Sequence, residues 1–354
     1  MTVVGRNLDR ETVLAVDASR EIDDILAMPD HIEDALFKAE SAMMAPADVD
    51  QLIICGMGGS AIGADLAVAA IGANALKPVT VVRGYDLPPW IGPKTAVLCS
   101  SYSGNTEETL ACYVQAEAAG SQIFVASAGG VLSERAQAKG EPVIALPGIL
   151  QPRASVGYGV TAALEVCIAT GVIDAGVRDD LNAASAQLRE LGEQWGPDGD
   201  ADALPKRLAR DGYGRVTVTY GAQLTAPVAY RWKTQINENA KVPAWTSELP
   251  EANHNEINAW GAAAELAEHC AWLLRDVDQN ERNQRRIELT AQVIDDSGAK
   301  VEIVDTVGQS RLARQFSAVF LGDLVSLYLA ILRDVDPTPV PIIEGLKDSL
   351  GRPS

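Results

Sequence analysis

Two periods of hydrophobicity alternate along this chain. Gln51 to Cys55 is a continuous aliphatic run that ends in Gly-Met-Gly-Gly, and apolar residues then recur at helical spacing from about Ala61 to Ile71. Val79 to Arg83, Thr95 to Ser100, Gln122 to Ser127 and Pro142 to Leu146 read as further strands. Thr106 to Ala119 and Val131 to Lys139 read as helices between the later ones. Fully apolar strands alternating with helices indicate a parallel sheet covered on both faces. An acidic helical stretch, Ala18 to Met44, precedes this half, and a long helix, Val156 to Thr170, closes it.

Residues Gly192 to Asp202 concentrate Gly, Pro and Asp, as a linker does. The pattern then restarts. Arg215 to Tyr220, Ala271 to Asp276 and Lys300 to Asp305 read as strands; Thr225 to Ala240, Gln279 to Asp296 and Ser310 to Leu332 read as helices. A Pro-rich turn and a short helix, IIEGLKDSL, form the tail. The expected fold is α/β, with two tandem domains, each a parallel sheet flanked by helices on both faces. Residues 1–190 form the first with its helical extension, 191–205 a linker, 206–335 the second, and 336–354 a helical tail. The halves share an order of elements rather than residue identity, so the repeat is topological.

Composition narrows the function. A length of 354 residues suits two domains with their own cores, and 47% apolar residues exclude disorder. The most apolar run, Phe316 to Leu332, is interrupted by Asp323 and reads as a buried helix rather than a membrane span. A net charge of −19 argues against nucleic acid and anionic membranes as partners, so an anionic substrate needs a locally built site. The N-terminus lacks the order of a secretory signal, and the expected location is cytoplasmic. The five cysteines contain no C-x-x-C; Cys55 and Cys99 end apolar runs and read as reduced, buried thiols. His31, His254 and His269 lie far apart, with His31 and His269 in charge-mixed, surface-like contexts. Without H-x-H or H-E-x-x-H, no metal site and no cofactor are expected.

Two loops carry the candidate chemistry. GMGGSAIG, Gly56 to Gly63, follows a strand and opens a helix. It fits the dinucleotide fingerprint loosely, but Arg83 stands where a ribose-binding acid belongs. The remaining readings are a tight strand-to-helix turn or backbone approach to a small polar ligand, with Gly58, Gly59 and Ser60 nearest. SSYSGNTEET, Ser100 to Thr109, sets Ser100, Ser101, Ser103 and Thr106 around Gly104. Asn105 and Glu108 have capping-box spacing, so a helix N-terminus with free N–H groups is expected here. Hydroxyls beside it make a phosphate cradle that needs no lysine, or equally an ordinary Ser/Thr-rich cap.

Together these loops resemble the sugar isomerase (SIS) domain, a parallel sheet sandwiched by helices whose Ser/Thr-rich loop holds a sugar phosphate. QPRASVGYG, RWKTQINENAKVPAWTSELPEANHNEI and IIEGLKDSL, in this order, make nearly the whole chain similar to the bifunctional phosphoglucose/phosphomannose isomerases. The resemblance implies two tandem SIS domains. It implies an aldose–ketose isomerase that interconverts glucose 6-phosphate and/or mannose 6-phosphate with fructose 6-phosphate through an enediolate. It implies Ser101, Ser103 and Thr106 as the phosphate anchor, Glu238 as the base, His254 and Lys347 for ring opening, and Arg153 for the enediolate. It also implies a homodimer in which His254 is donated across the interface. A small hydroxyl residue shortly before the C-terminal lysine goes with breadth toward mannose 6-phosphate; two turns back from Lys347 lies Val340, with Thr338 slightly farther off.

The residues themselves leave alternatives open. Glu238 near a helix C-terminus gains nothing from the dipole, which fits a functional carboxylate or a solvated helix end. His254 lies in a polar, Asn-rich loop, so it reads as functional or simply exposed. Arg153, between Pro152 and a helix, suits a developing oxyanion or a loop surface. Lys347 rests on the resemblance. The competing class is a non-catalytic phosphosugar-binding protein of the same domain type, which needs the hydroxyl loop but not Glu238, His254 and Lys347. An amidotransferase-type synthase needs a cysteine near the N-terminus, and none precedes Cys55.

Overall fold

The computed structural model describes residues 6–350. Helices α1 (Arg10–Val16), α2 (Glu21–Leu26) and α3 (Met28–Ser41) lead into the first sheet. Its strands and helices follow as β1 (Gln51–Cys55), α4 (Gly58–Ile71), β2 (Val79–Val82), β3 (Thr95–Ser100), α5 (Glu107–Ala118), β4 (Gln122–Ser127), α6 (Gly130–Lys139) and β5 (Val143–Ala145). All pairings are parallel, in the order β2-β1-β3-β4-β5. After α7 (Val156–Ala169), α8 (Val177–Trp195) and α9 (Leu204–Gly212), the second sheet begins. It contains β6 (Val216–Gly221), α10 (Ala226–Gln235), β7 (Ala244–Glu248), α11 (Ala263–Leu266), β8 (His269–Arg275), α12 (Glu281–Asp296) and β9 (Lys300–Asp305). It is also parallel, in the order β7-β6-β8-β9. Helices α13 (Arg311–Leu332) and α14 (Pro341–Leu350) end the chain.

Alternation of side chains along a strand explains the layers. Leu52, Ile54, Ala96, Leu98, Phe124 and Ala126 enter one core, and Ile53, Cys55, Val97, Cys99, Ile123 and Val125 the opposite one. The first of these cores also takes Trp232, Trp272, Leu274 and the length of α13, so the inner faces of both sheets share it. Helix α13 is long and apolar enough to cross a membrane, yet it is buried inside the fold from Leu312 to Leu332. Its one carboxylate there, Asp323, accepts two hydrogen bonds from Arg231, at 2.9 and 2.7 Å.

Two expectations change. The non-helical part of the linker expected over 191–205 is 196–203, because α8 runs to Trp195 and α9 starts at Leu204. Gly192 lies within α8, beside Leu26 and Phe320. His31 is buried rather than exposed, with its ring 5.3 Å from that of Tyr158, and burial lowers its pKa. The edge strand β7 and helices α1, α8 and α9 were not expected; AWTSE in β7 lacks the apolar run that marked the other strands.

Candidate active site

The first sheet changes direction between β1 and β3, since β1 leads to β2 on one side and β3 lies on the other. Crevices at such points, outside the carboxyl ends of the strands, are where open α/β sheets bind ligands. The two loops singled out in the sequence both lie here, after Cys55 and after Ser100. Bare backbone is required at this point. A Cβ on Gly56 would stand 2.9 Å from the Ser100 carbonyl oxygen, and one on Gly59 would stand 2.8 Å from that of Pro152. The second contact presses the first turn of α4 against the segment that carries Arg153.

In the hydroxyl loop, Ser101 Oγ and Thr106 Oγ1 share a hydrogen bond of 2.8 Å, and Ser101 Oγ accepts from the Gly104 N–H at 3.1 Å. Gly104 has φ +68°, and a Cβ there would overlap the Gly129 carbonyl. The capping box expected from Asn105 and Glu108 does not form. Asn105 Oδ1 accepts from the Val131 N–H at 3.1 Å instead, which ties the loop to α6. Thr106 is therefore the N-cap residue of α5, and its side chain makes no capping hydrogen bond. The first turn of α4, with Gly58, Gly59 and Ser60, has no side-chain cap either. Two uncapped helix N-termini thus follow adjacent strands, and Ser101 is buried while Ser103 is exposed. Free N–H groups and hydroxyls in that arrangement suit an anion.

Arg153 is buried, and its guanidinium is tied to three parts of the chain. Nε donates to Asn239 Oδ1 at 2.7 Å and lies 3.3 Å from Glu21 Oε1. One terminal nitrogen, Nη2, donates to the carbonyls of Pro337 and Thr338 at 3.0 and 2.9 Å. The other, Nη1, makes no hydrogen bond among the described residues and faces Glu238 Oε2 at 3.6 Å. The Arg153 carbonyl accepts from Arg231 at 2.9 Å, and Asn239 donates to Ser326 at 2.9 Å. Of the two readings left open for Arg153, an exposed loop position is thus excluded: it is the meeting point of α2, α10 with the turn that ends it, and the tail.

Glu238 lies on a single π turn, Ile236–Ala240, that ends α10, where the sequence predicts uninterrupted helix. Such turns concentrate at functional sites. The wider turn buries Asn239 toward Ser326 and leaves Glu238 half-buried. Lys241 closes the turn in the left-handed region at φ +56° and donates to Pro337 O at 2.7 Å. Burial, with help from Arg153, lowers its pKa.

His254 and Lys347 stand apart from this group. His254 ends an exposed turn after β7, with Asn253 tied to Thr290 on α12 at 2.8 Å. Lys347 is exposed on α14. Among the described residues, no hydrogen bond or ion pair links either of them to Glu238 or Arg153. Pro337 and Thr338, rather than Val340, are the tail residues whose carbonyls reach Arg153, and among the described residues the Thr338 hydroxyl is buried without a partner.

The matching crevice of the second sheet is filled by its own polar groups. Gln279 donates to Ala222 O and Thr225 Oγ1 at 2.9 and 3.0 Å, and Arg314 pairs with Asp276 at 2.8 Å. A cavity of about 620 Å³ near Arg215, Glu268, His269 and Lys300 opens at the amino ends of that sheet's strands, the edge that α/β sheets do not use for ligands.

Residues 201–350 match the family model for the bacterial phospho-glucose isomerase C-terminal SIS domain. The bifunctional phosphoglucose/phosphomannose isomerase of Caldicellulosiruptor bescii is 39% identical over 332 residues, covering 91% of this chain and 96% of the relative. The chain belongs to the bifunctional phosphoglucose/phosphomannose isomerase family. The member from Aquifex aeolicus is 37% identical over 301 residues, 84% of this chain and 90% of its own. A solved structure of a hypothetical protein from Thermus thermophilus superposes with a TM-score of 0.76 at 17% identity, covering 96% of this chain and 93% of its own, which shows the shared fold.

Sequence reasoning missed Glu21, Asn239, Lys241 and Arg231 as neighbours of Arg153 and Glu238. A signal existed for some of them. Asp323 inside an apolar helix demands a buried cation, and Asn239 and Lys241 flank Glu238 in the segment that carried the resemblance. Glu21 had none, because it sits in an acidic stretch that reads as a solvated face.

Proposed function

We propose that this chain is an aldose–ketose isomerase that interconverts glucose 6-phosphate and mannose 6-phosphate with fructose 6-phosphate. One observation carries the reading: the unengaged Nη1 of Arg153 and the half-buried carboxylate of Glu238 face each other at 3.6 Å, beside a crevice bounded by two uncapped helix N-termini. The hydroxyls of Ser101, Ser103 and Thr106, with Gly58, Gly59 and Ser60, hold the phosphate. Glu238 takes the proton from C2 of the open-chain aldose. The electron pair moves through the C1–C2 bond onto the carbonyl oxygen, and Arg153 stabilises the resulting enediolate. Passage of the O2 proton to O1 with return of the carbon-bound proton to C1 gives the ketose; return of that proton to either face of C2, with the O2 proton left in place, gives glucose or mannose. The five buried free thiols fit a reducing, cytoplasmic setting.

In this reading the chain works as a homodimer, and His254 opens the sugar ring in the partner's site together with Lys347. The exposure of His254, away from Arg153 and Glu238, favours action in trans. A coupled assay with each aldose phosphate, scoring fructose 6-phosphate, tests the activity. Mixing Glu238→Gln chains with His254→Ala chains tests the trans arrangement. One site of each mixed dimer inherits both defects and the other neither, so about a quarter of wild-type activity returns on random exchange. Exchange without recovery contradicts it.

A further inference from the structure

Two carboxylates flank the Arg153 guanidinium. Glu238 approaches Nη1 from the half-buried side, and Glu21 approaches Nε from a side closed to solvent, with only 2% of Glu21 exposed. We propose that Glu21, carried by α2, is a positioning residue that holds the Arg153 guanidinium back from Glu238, so that Nη1 and the Glu238 carboxylate both remain available to the sugar. This rests on the roles given above to Arg153 and Glu238.

The position of Glu21 is itself fixed. The buried Asp17 carboxylate accepts the N–H groups of Glu21 and Ile22, each at 2.9 Å, and so anchors the first turn of α2. Arg20, just before it, is left-handed at φ +61°. The Glu21 side chain then enters the space between α2 and the turn Pro152–Ser155. At 3.6 Å, Nη1 and Glu238 Oε2 are beyond hydrogen-bond reach. Asn239 and the two tail carbonyls set the plane of the guanidinium, and without an opposing charge at Nε, Coulomb attraction tilts Nη1 toward Glu238. A closed pair there ties up the base and the oxyanion donor together.

The charged groups around Glu21 set the sign of its pH response. Asp17 and Asp24 face it from its own segment, Asp323 from α13, Arg153 from the turn before α7, and Lys241 from the turn after α10. Burial pushes the carboxyl up to about 7, although Arg153 pulls it back down. As pH falls through about 7, Glu21 gains a proton and loses its hold, so kcat falls on that limb.

The test uses the full chain. Glu21→Gln is expected to lower kcat about tenfold, with KM changed less than twofold, and to abolish the limb near pH 7. Glu21→Asp keeps the charge and is expected to keep the limb. Binding of 5-phospho-D-arabinonate, whose carboxylate imitates the enediolate charge, weakens about tenfold in Glu21→Gln, while binding of sorbitol 6-phosphate does not. A crystal structure of Glu21→Gln shows Nη1 and Glu238 within hydrogen-bond distance. An unchanged kcat and pH profile overturns the proposal, as does equal weakening of both ligands with the 3.6 Å gap preserved. Arg153→Lys separates the two levels. If that variant retains full activity, the role given to Arg153 falls; if it is slow while Glu21→Gln is not, only the role of Glu21 falls.

Discussion

Arg153 Nη1 stands 3.6 Å from Glu238 Oε2, while Nε and Nη2 of the same guanidinium are held by Asn239 and by the Pro337 and Thr338 carbonyls. A fork fixed on two sides presents its third nitrogen in one direction. That direction is toward the carboxylate assigned as base. The planar enediolate needs both groups together, an acceptor for the C2 proton and a donor to the oxygen that becomes negative.

Glu238→Gln keeps the shape of the side chain and removes the proposed base. Turnover is expected to fall about 100- to 10,000-fold, with sugar-phosphate affinity retained, because the phosphate loop lies on another element. Steady-state kinetics with direct binding of fructose 6-phosphate checks this. Equal loss of binding and rate identifies a structural glutamate.

Ser101→Ala combined with Thr106→Ala acts on the proposed phosphate loop. Each lost hydrogen bond to a phosphate costs about 1.5–3 kcal/mol. The two hydroxyls also bond to each other at 2.8 Å, so their effects are not additive. KM is expected to rise at least tenfold with a smaller change in kcat. An unaltered KM places the phosphate elsewhere.

Gly59→Ala tests the link between the two loops and the arginine. The new Cβ lies 2.8 Å from the Pro152 carbonyl oxygen and 3.8 Å from the Arg153 Cα. Backbone cannot rotate away as a side chain can, so the change costs about 1–3 kcal/mol and displaces Arg153. Urea unfolding reads the first effect and kcat the second. A variant as active as the parent contradicts the placement of Arg153.

Much of this frame was legible in the sequence. Strands β1, β3, β4 and β9 have the expected limits because each is a short run bounded by turn residues. The hydroxyl loop was legible as well, since its chemistry is local. The surroundings of Arg153 were not. Glu21, Asn239 and Thr338 come together from positions far apart in the chain, and no periodicity encodes that meeting. The π turn under Glu238 was hidden too, because its residues are compatible with a regular helix and only tertiary packing widens it.

Glu21 gives a stability prediction of definite sign. Its carboxyl is raised from 4.5 to about 7 by burial. Below about 4.5 it is protonated whether folded or unfolded. Between those values the folded state keeps a proton that the unfolded chain has released. Above about 7 the fold bears the full penalty of the buried charge, which corresponds to roughly 3 kcal/mol. Gln imitates the protonated form. Glu21→Gln is therefore expected to be more stable than the parent at pH 8, by up to about 3 kcal/mol, and nearly equal to it at pH 5. Urea unfolding at the two pH values measures this, and a difference independent of pH contradicts it. A substitution that stabilises the fold and slows the reaction fits a charge kept for function.

The most direct test of the central claim is proton NMR of fructose 6-phosphate incubated with the purified protein in deuterium oxide. Glucose 6-phosphate and mannose 6-phosphate are expected to form, a share of each carrying deuterium at C2, because the proton taken by Glu238 exchanges with solvent before its return. Aldose phosphates formed with no deuterium at C2, or fructose 6-phosphate bound but left unconverted, would contradict it.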